Sequence, residues 1–217
     1  TIAAKLGGGD IEGNPRLRTA VANAKAANMP SDNLIRAIKK GTGELDGVVY
    51  DEGVYEAYGP GGVALVIEVL TDNKNRTVAE IRHILAKNNG NLGESGSVAW
   101  QFERKGYFAI ERAAVEEDTL MEVALEAGAD DIQDAGDVWE VYTDTAAFEA
   151  VRLALETAEI PMGEAKLGRF PKTTVDLDVK KAEQMLRLMD ALEDCDDVQD
   201  VFGNGDMSAE VMEQLSA

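Results

Sequence analysis

Between residues 106 and 170 the spacing of apolar residues changes in a fixed order. It alternates by two over 106–111, turns helical over 116–127, alternates again over 131–134 and 138–143, turns helical over 145–158, and alternates once more over 162–169. That order is β-α-β-β-α-β, the split pattern of a ferredoxin-like sandwich. Strands are also expected at 54–58, 63–71 and 97–104, with a helix at 77–89 ahead of the block. Strands at 173–177 and 198–203 flank a helix at 178–193 behind it. Each flank alone is an incomplete sandwich, and together they make one more. The middle unit is therefore expected to be inserted into the unit that flanks it. With the helical start of the chain, the expected fold is α+β in three domains: a helical domain at 1–46, a discontinuous α/β sandwich at 47–104 plus 171–217, and an inserted ferredoxin-like sandwich at 105–170.

An internal echo supports repeated corners. "ALEAGADDI" from Ala124 and "ALEDCDDVQ" from Ala191 both end a helix, turn through acidic residues and enter a strand. In the helical part, Asn14 caps a helix that starts at Pro15, where the missing proline N–H would be unpaired in any case. Leu17, Val21 and Ala24 form its buried stripe. A second helix places Leu34, Ile35 and Ile38 inward and ends at Gly41. Two helices joined by "NMP" fit a helix-turn-helix or an ordinary helical hairpin. The chain opens at Thr1 in what reads as the end of a helix, so its true N-terminus is expected to lie further upstream.

The net charge of −20 argues against a nucleic-acid partner until its distribution is considered. Residues 1–45 carry seven Lys/Arg against four Asp/Glu, or +3, and residues 72–105 carry six against four, or +2. Residues 106–217 carry eight against twenty-eight, or −20, and residues 46–71 add −5. Any phosphate contact belongs to the first half. The acidic half reads as a solvated surface, or as one that steers a polyanion away from the wrong side.

The cations of the first half fall in two groups. Arg16, Arg18 and Lys25 lie off the buried stripe of the first helix, and Arg36, Lys39 and Lys40 lie on the outer face of the second, its last two residues suiting the negative end of the helix dipole. The other group sits in "LTDNKNRTVAEIRHILAK". Thr77 followed by Glu80 fits a capping box, which leaves Asn73, Lys74, Asn75 and Arg76 just ahead of a helix N-terminus that could hold an anion. Arg76, Glu80, His83 and Lys87 then share one outward face, with Arg82 beside them. A capped and solvated helix is the plain alternative. Trp100 alternates with Val98 and Phe102 and is expected in the core, the alternative being a base-stacking platform.

Catalysis has little support. His83 is the only histidine, no nucleophile stands beside a base, and the carboxylates lack metal-loop spacing. Neither "YGPGG" nor "NNGNLGESGS" matches a nucleotide-binding fingerprint, so no catalytic residue, metal or cofactor is expected. Cys195, the single cysteine, is expected as a buried thiol. No apolar run is long enough to span a membrane.

"LGGGD…NPRLR", "YGPGG", "LTDNKNRT", "NGNLGESGSVAW" and "LEDCDDVQDV", in that order along nearly the whole chain, resemble the YebC/PmpR family. The resemblance implies one helical and two α/β domains and no catalytic residues. It also implies a regulator of gene expression, acting on promoter DNA or on ribosomal RNA and the ribosome, in the bacterial cytoplasm or the mitochondrial matrix. Family members open with a basic segment that this chain lacks, so its net charge understates the attraction to nucleic acid. The residues themselves leave three readings open: a ribosome-associated factor, slightly favoured by the weak helix-turn-helix signature, a DNA-binding regulator, and an acidic adaptor that docks a basic protein.

Overall fold

The structure, a computed structural model, describes residues 1–45 and 50–216. The expected boundary between 46 and 47 lies outside the described residues. Two compact units emerge, Thr1–Gly53 with Val69–Val78, and Val54–Glu68 with Ala79–Ala217.

The first unit is led by α1 (Ile2–Gly7), α2 (Pro15–Ala26) and α3 (Ser31–Gly41). Asn14, only 5% exposed, organises it. Its side-chain oxygen accepts the Leu17 N–H at 3.1 Å, capping α2, while its amide donates to the carbonyls of Ala3 at 2.8 Å and Gly8 at 2.9 Å. One side chain thus starts α2 and holds the end of α1. Ala3, Ala4, Leu17 and Val21 form the core, with Ile11, Leu34 and Ile38 packed on it. Ile35, expected inward, is 50% exposed. Leu34 and Ile38 share a face at four-residue spacing, and Ile35 stands about a quarter turn away. Asn14→Ala is expected to lower stability by about 1–2 kcal/mol, because the cap is lost and two carbonyls lose a donor. Thermal denaturation should show Asn14→Asp no more stable than alanine, since it keeps the cap acceptor but sets a buried carboxylate oxygen against two carbonyls.

The strands β1 (Asp51–Tyr58), β2 (Ala64–Thr71), β3 (Asn91–Leu92) and β9 (Val198–Gly203) form a sheet in the order β3-β1-β2-β9. Between β2 and β3 runs α4 (Lys74–Lys87), and α7 (Val179–Glu193) precedes β9. The central strand β2 is buried without a break from Ala64 to Ile67, as expected of a strand covered on both faces. Ala64 and Val66 pack with Val98 and Phe102, while the side chains of Leu65, Met185 and Leu188 crowd around Gly59.

The other sheet comprises β4 (Phe102–Glu111), β5 (Ala129–Asp134), β6 (Val138–Asp144) and β7 (Glu164–Pro171), in the order β5-β6-β4-β7 with all neighbours antiparallel. Numbered within the block this is 4-1-3-2, and α5 (Glu117–Glu126) and α6 (Phe148–Thr157) pack on one face. Phe108 of β4 stacks on Phe148 of α6 with ring centroids 4.8 Å apart. The fold is α+β, and the first sheet is completed only when the chain returns from the second with β9. The echoed corners both exist: α5 turns into β5, and α7 into β9. A two-residue parallel pair, β8 (Val175–Asp176) with β10 (Gly205–Asp206), and α8 (Ala209–Ser216) complete the described elements. Cys195 is a buried free thiol, pushed up from its ordinary pKa chiefly by burial.

Two expectations need correction. The strands expected at 97–104 and 106–111 are one strand, β4, because Gly106 is not a break. A Cβ there would lie 2.3 Å from Thr143 Oγ1 and 2.5 Å from Phe148 Cδ2, so the glycine makes room for the helix layer. Residues 99–101 form a short 3-10 turn ahead of β4, which ends the alternation and leaves Trp100 69% exposed.

Candidate nucleic-acid interface

The outer face of α3 carries the least encumbered cations. Arg36, Lys39 and Lys40 recur at three- and four-residue steps, are exposed, and make no ion pair among the described residues. Lys25, exposed in the last turn of α2, makes none either. Lys39 and Lys40 stand in the last turn of α3, where the helix dipole favours them without consuming their hydrogen-bonding capacity.

The rest of the first group is engaged. Arg16 pairs with Glu52, and Arg18 donates to the Glu12 carbonyl. At the start of β1, Asp51 draws Lys5 at 3.5 Å and Lys74 at 3.6 Å. These pairs are about half exposed and individually weak, so a phosphate could displace their carboxylates. They nevertheless lower the local positive potential.

At α4 the capping expectation is overturned. The helix begins at Lys74, and Asn73 caps it by accepting the Arg76 N–H at 3.1 Å. Thr77, fully buried, donates its hydroxyl to the Asn73 carbonyl at 3.0 Å and accepts from the Thr71 hydroxyl at 2.7 Å, so it serves the interior of the first turn. Asn73, Lys74, Asn75 and Arg76 therefore form the cap and first turn. Arg76 pairs with Asp72 at 2.8 Å. With a side-chain cap and a carboxylate already present, this N-terminus is less open to an anion than the sequence alone implied. Further along α4, within the second unit, Arg82, His83 and Lys87 are exposed and without ion pairs among the described residues.

Sequence reasoning missed Glu56. Only 7% exposed in β1, its carboxylate accepts the N–H groups of Gly96 at 2.6 Å and of Val98 and Ala99 at 2.7 Å each. Burial alone would raise its pKa. The three backbone donors and Arg169 outweigh that and hold it below the usual carboxylate range. The loop that precedes the exposed Trp100 is thus pinned by a buried anion. Trp100 is fixed in turn by donating Nε1–H to the Ser97 carbonyl at 3.1 Å. The only hint in sequence was an acid inside a strand, between Tyr55 and Ala57.

Two family models cover almost the whole chain: the TACO1/YebC N-terminal domain over residues 1–44, and the TACO1/YebC second and third domain over residues 50–205. The chain belongs to the TACO1/YebC family. Similar proteins include one of Desulfosudis oleivorans, 58% identical over 98% of this chain and 87% of the relative. Another, of Geobacter sulfurreducens, is 58% identical over 99% of this chain and 87% of the relative. Both are named "Probable transcriptional regulatory protein". The crystal structure of a conserved hypothetical protein of Aquifex aeolicus superposes with a TM-score of 0.88 at 45% identity, covering 97% of this chain and 87% of that one. This TACO1/YebC chain has no group of metal-binding side chains among the described residues. None of its described helices is long and apolar enough to cross a membrane.

Proposed function

We propose that this TACO1/YebC protein is a non-enzymatic regulator of gene expression that contacts the phosphate backbone of nucleic acid through its first unit. The observation that carries this reading is the unpaired basic face of α3, Arg36 with Lys39 and Lys40, in a chain whose remaining charge is strongly negative. Such a face suits backbone contact: its cations fix position on phosphates, and a single exposed amide beside them, Asn33, is little with which to read a run of base edges. That favours RNA on the ribosome, recognised by shape and phosphates, over a promoter sequence. The names of the relatives favour DNA. Sedimentation with ribosomes, compared with retention on duplex DNA at matched salt, separates the two. Association with ribosomes alone is the expected result, retention on DNA alone selects the transcriptional reading, and association with neither removes nucleic acid from the function. We also propose the division into 1–46, 47–104 with 171–217, and 105–170. Three separate apolar clusters, around Leu17, Val66 and Phe108, support it.

A further inference from the structure

The helix layer over the second sheet leaves an apolar groove between α5 and α6. It is an open depression of about 570 Å³, lined by Val123, Glu126 and Ala127 of α5 and its C-terminal end, and by Leu153, Ala154 and Thr157 of α6. Leu153 is 57% exposed. Its neighbours on the groove side of α6 are small, Ala150, Ala154 and Thr157. The charge on the two groove helices is mostly of one sign: α5 carries Glu117, Asp118, Glu122 and Glu126 and no Lys, Arg or His, and α6 carries Glu149 and Glu156 on either side of Arg152. Arg152 itself is occupied by Glu149 and Glu156.

We propose that this groove docks a basic amphipathic helix of a protein partner, its apolar stripe entering against Leu153 and Ala154 and its Lys/Arg flanks meeting the acidic rim. Charge selects this occupant. Nucleic acid and anionic membranes are repelled by the rim. A second copy of the chain would bring an identical acidic rim against the first. Each groove wall is a ten-residue helix, about 15 Å long at 1.5 Å per residue, which matches roughly three turns of partner helix. Small residues along α6 let a partner backbone come close, and the apolar contact supplies the affinity that exposed ion pairs do not.

The test uses the full chain and a fluorescein-labelled synthetic peptide of about 18 residues, with leucines at helical i, i+3, i+4, i+7 spacing and lysines elsewhere. A scrambled peptide of the same composition and a version with glutamate in place of lysine serve as controls. Fluorescence anisotropy is expected to show binding of the amphipathic basic peptide alone. Ala154→Trp, which fills the groove, should weaken it about tenfold or more, the order expected when one leucine-sized anchor loses its burial. Glu126→Lys, an exposed change that leaves folding intact, should weaken binding and flatten its salt dependence. Equal binding of the scrambled peptide would overturn the proposal, as would absence of binding. So would affinity unchanged in both variants, or a dimer in sedimentation that Ala154→Trp abolishes.

Discussion

Glu56→Ala is expected to cost about 3 kcal/mol of stability, because three backbone N–H groups, that of Val98 buried and those of Gly96 and Ala99 partly so, lose an ionised acceptor at once. The loop over residues 94–99 should loosen, and the emission of Trp100 should report that locally, together with faster amide exchange at Gly96, Val98 and Ala99. Glu56→Gln separates charge from shape: it retains one acceptor oxygen but brings a donor into a site made entirely of donors. Its loss should be smaller than that of alanine at neutral pH. The sign of the pH dependence follows from the depressed pKa. The ionised carboxylate stabilises the fold fully above the ordinary range of an unfolded glutamate, and that contribution disappears as pH falls through the lower folded value. Wild type and Glu56→Gln should therefore differ most near neutrality and converge in acid, in denaturant titrations at a series of pH values. A constant gap down to low pH would mean that packing, not the anion, holds the loop.

That residue also marks where the sequence stopped being readable. The block from 106 to 170 could be read because its periods differ on successive segments, and their order is that of a ferredoxin-like sandwich. Asn14 and Pro15 were readable because capping is local, resolved within three residues. Glu56 was not, since the N–H groups it accepts lie some forty residues away and an acid in a strand ordinarily faces water. Trp100 was misplaced for a related reason: alternation extrapolates through a 3-10 turn that only the clamped loop creates. At the basic face, the identity of the cations was plain, but their pairing was not. Asp51 and Glu52 reach Lys5, Arg16 and Lys74 only after folding. The structure thus separates engaged cations from the unpaired ones of α3, a distinction composition cannot make.

This separation gives the second large expected effect. Replacing Arg36, Lys39 and Lys40 together by glutamate should weaken binding to ribosomes or nucleic acid on the order of 10²-fold at low salt. It should also reduce the logarithmic salt slope on duplex DNA by about 2.7, three phosphates at about 0.9 each. Lys39→Glu and Lys40→Glu would also place anions at the negative end of α3 and destabilise it by about 0.3–1 kcal/mol apiece. The triple glutamine variant is therefore the better matched control, and should show most of the slope change with less loss of stability. Arg16→Glu should do less, since that guanidinium already faces Glu52 and contributes less free charge. A reversed ranking would move the contact from α3 to the face of α2. If the glutamine variant binds as wild type does, with an unchanged salt slope and an intact thermal transition, the α3 face makes no phosphate contact. Lys25 and the α4 residues Arg82, His83 and Lys87 would then be the remaining candidates without an ion pair among the described residues.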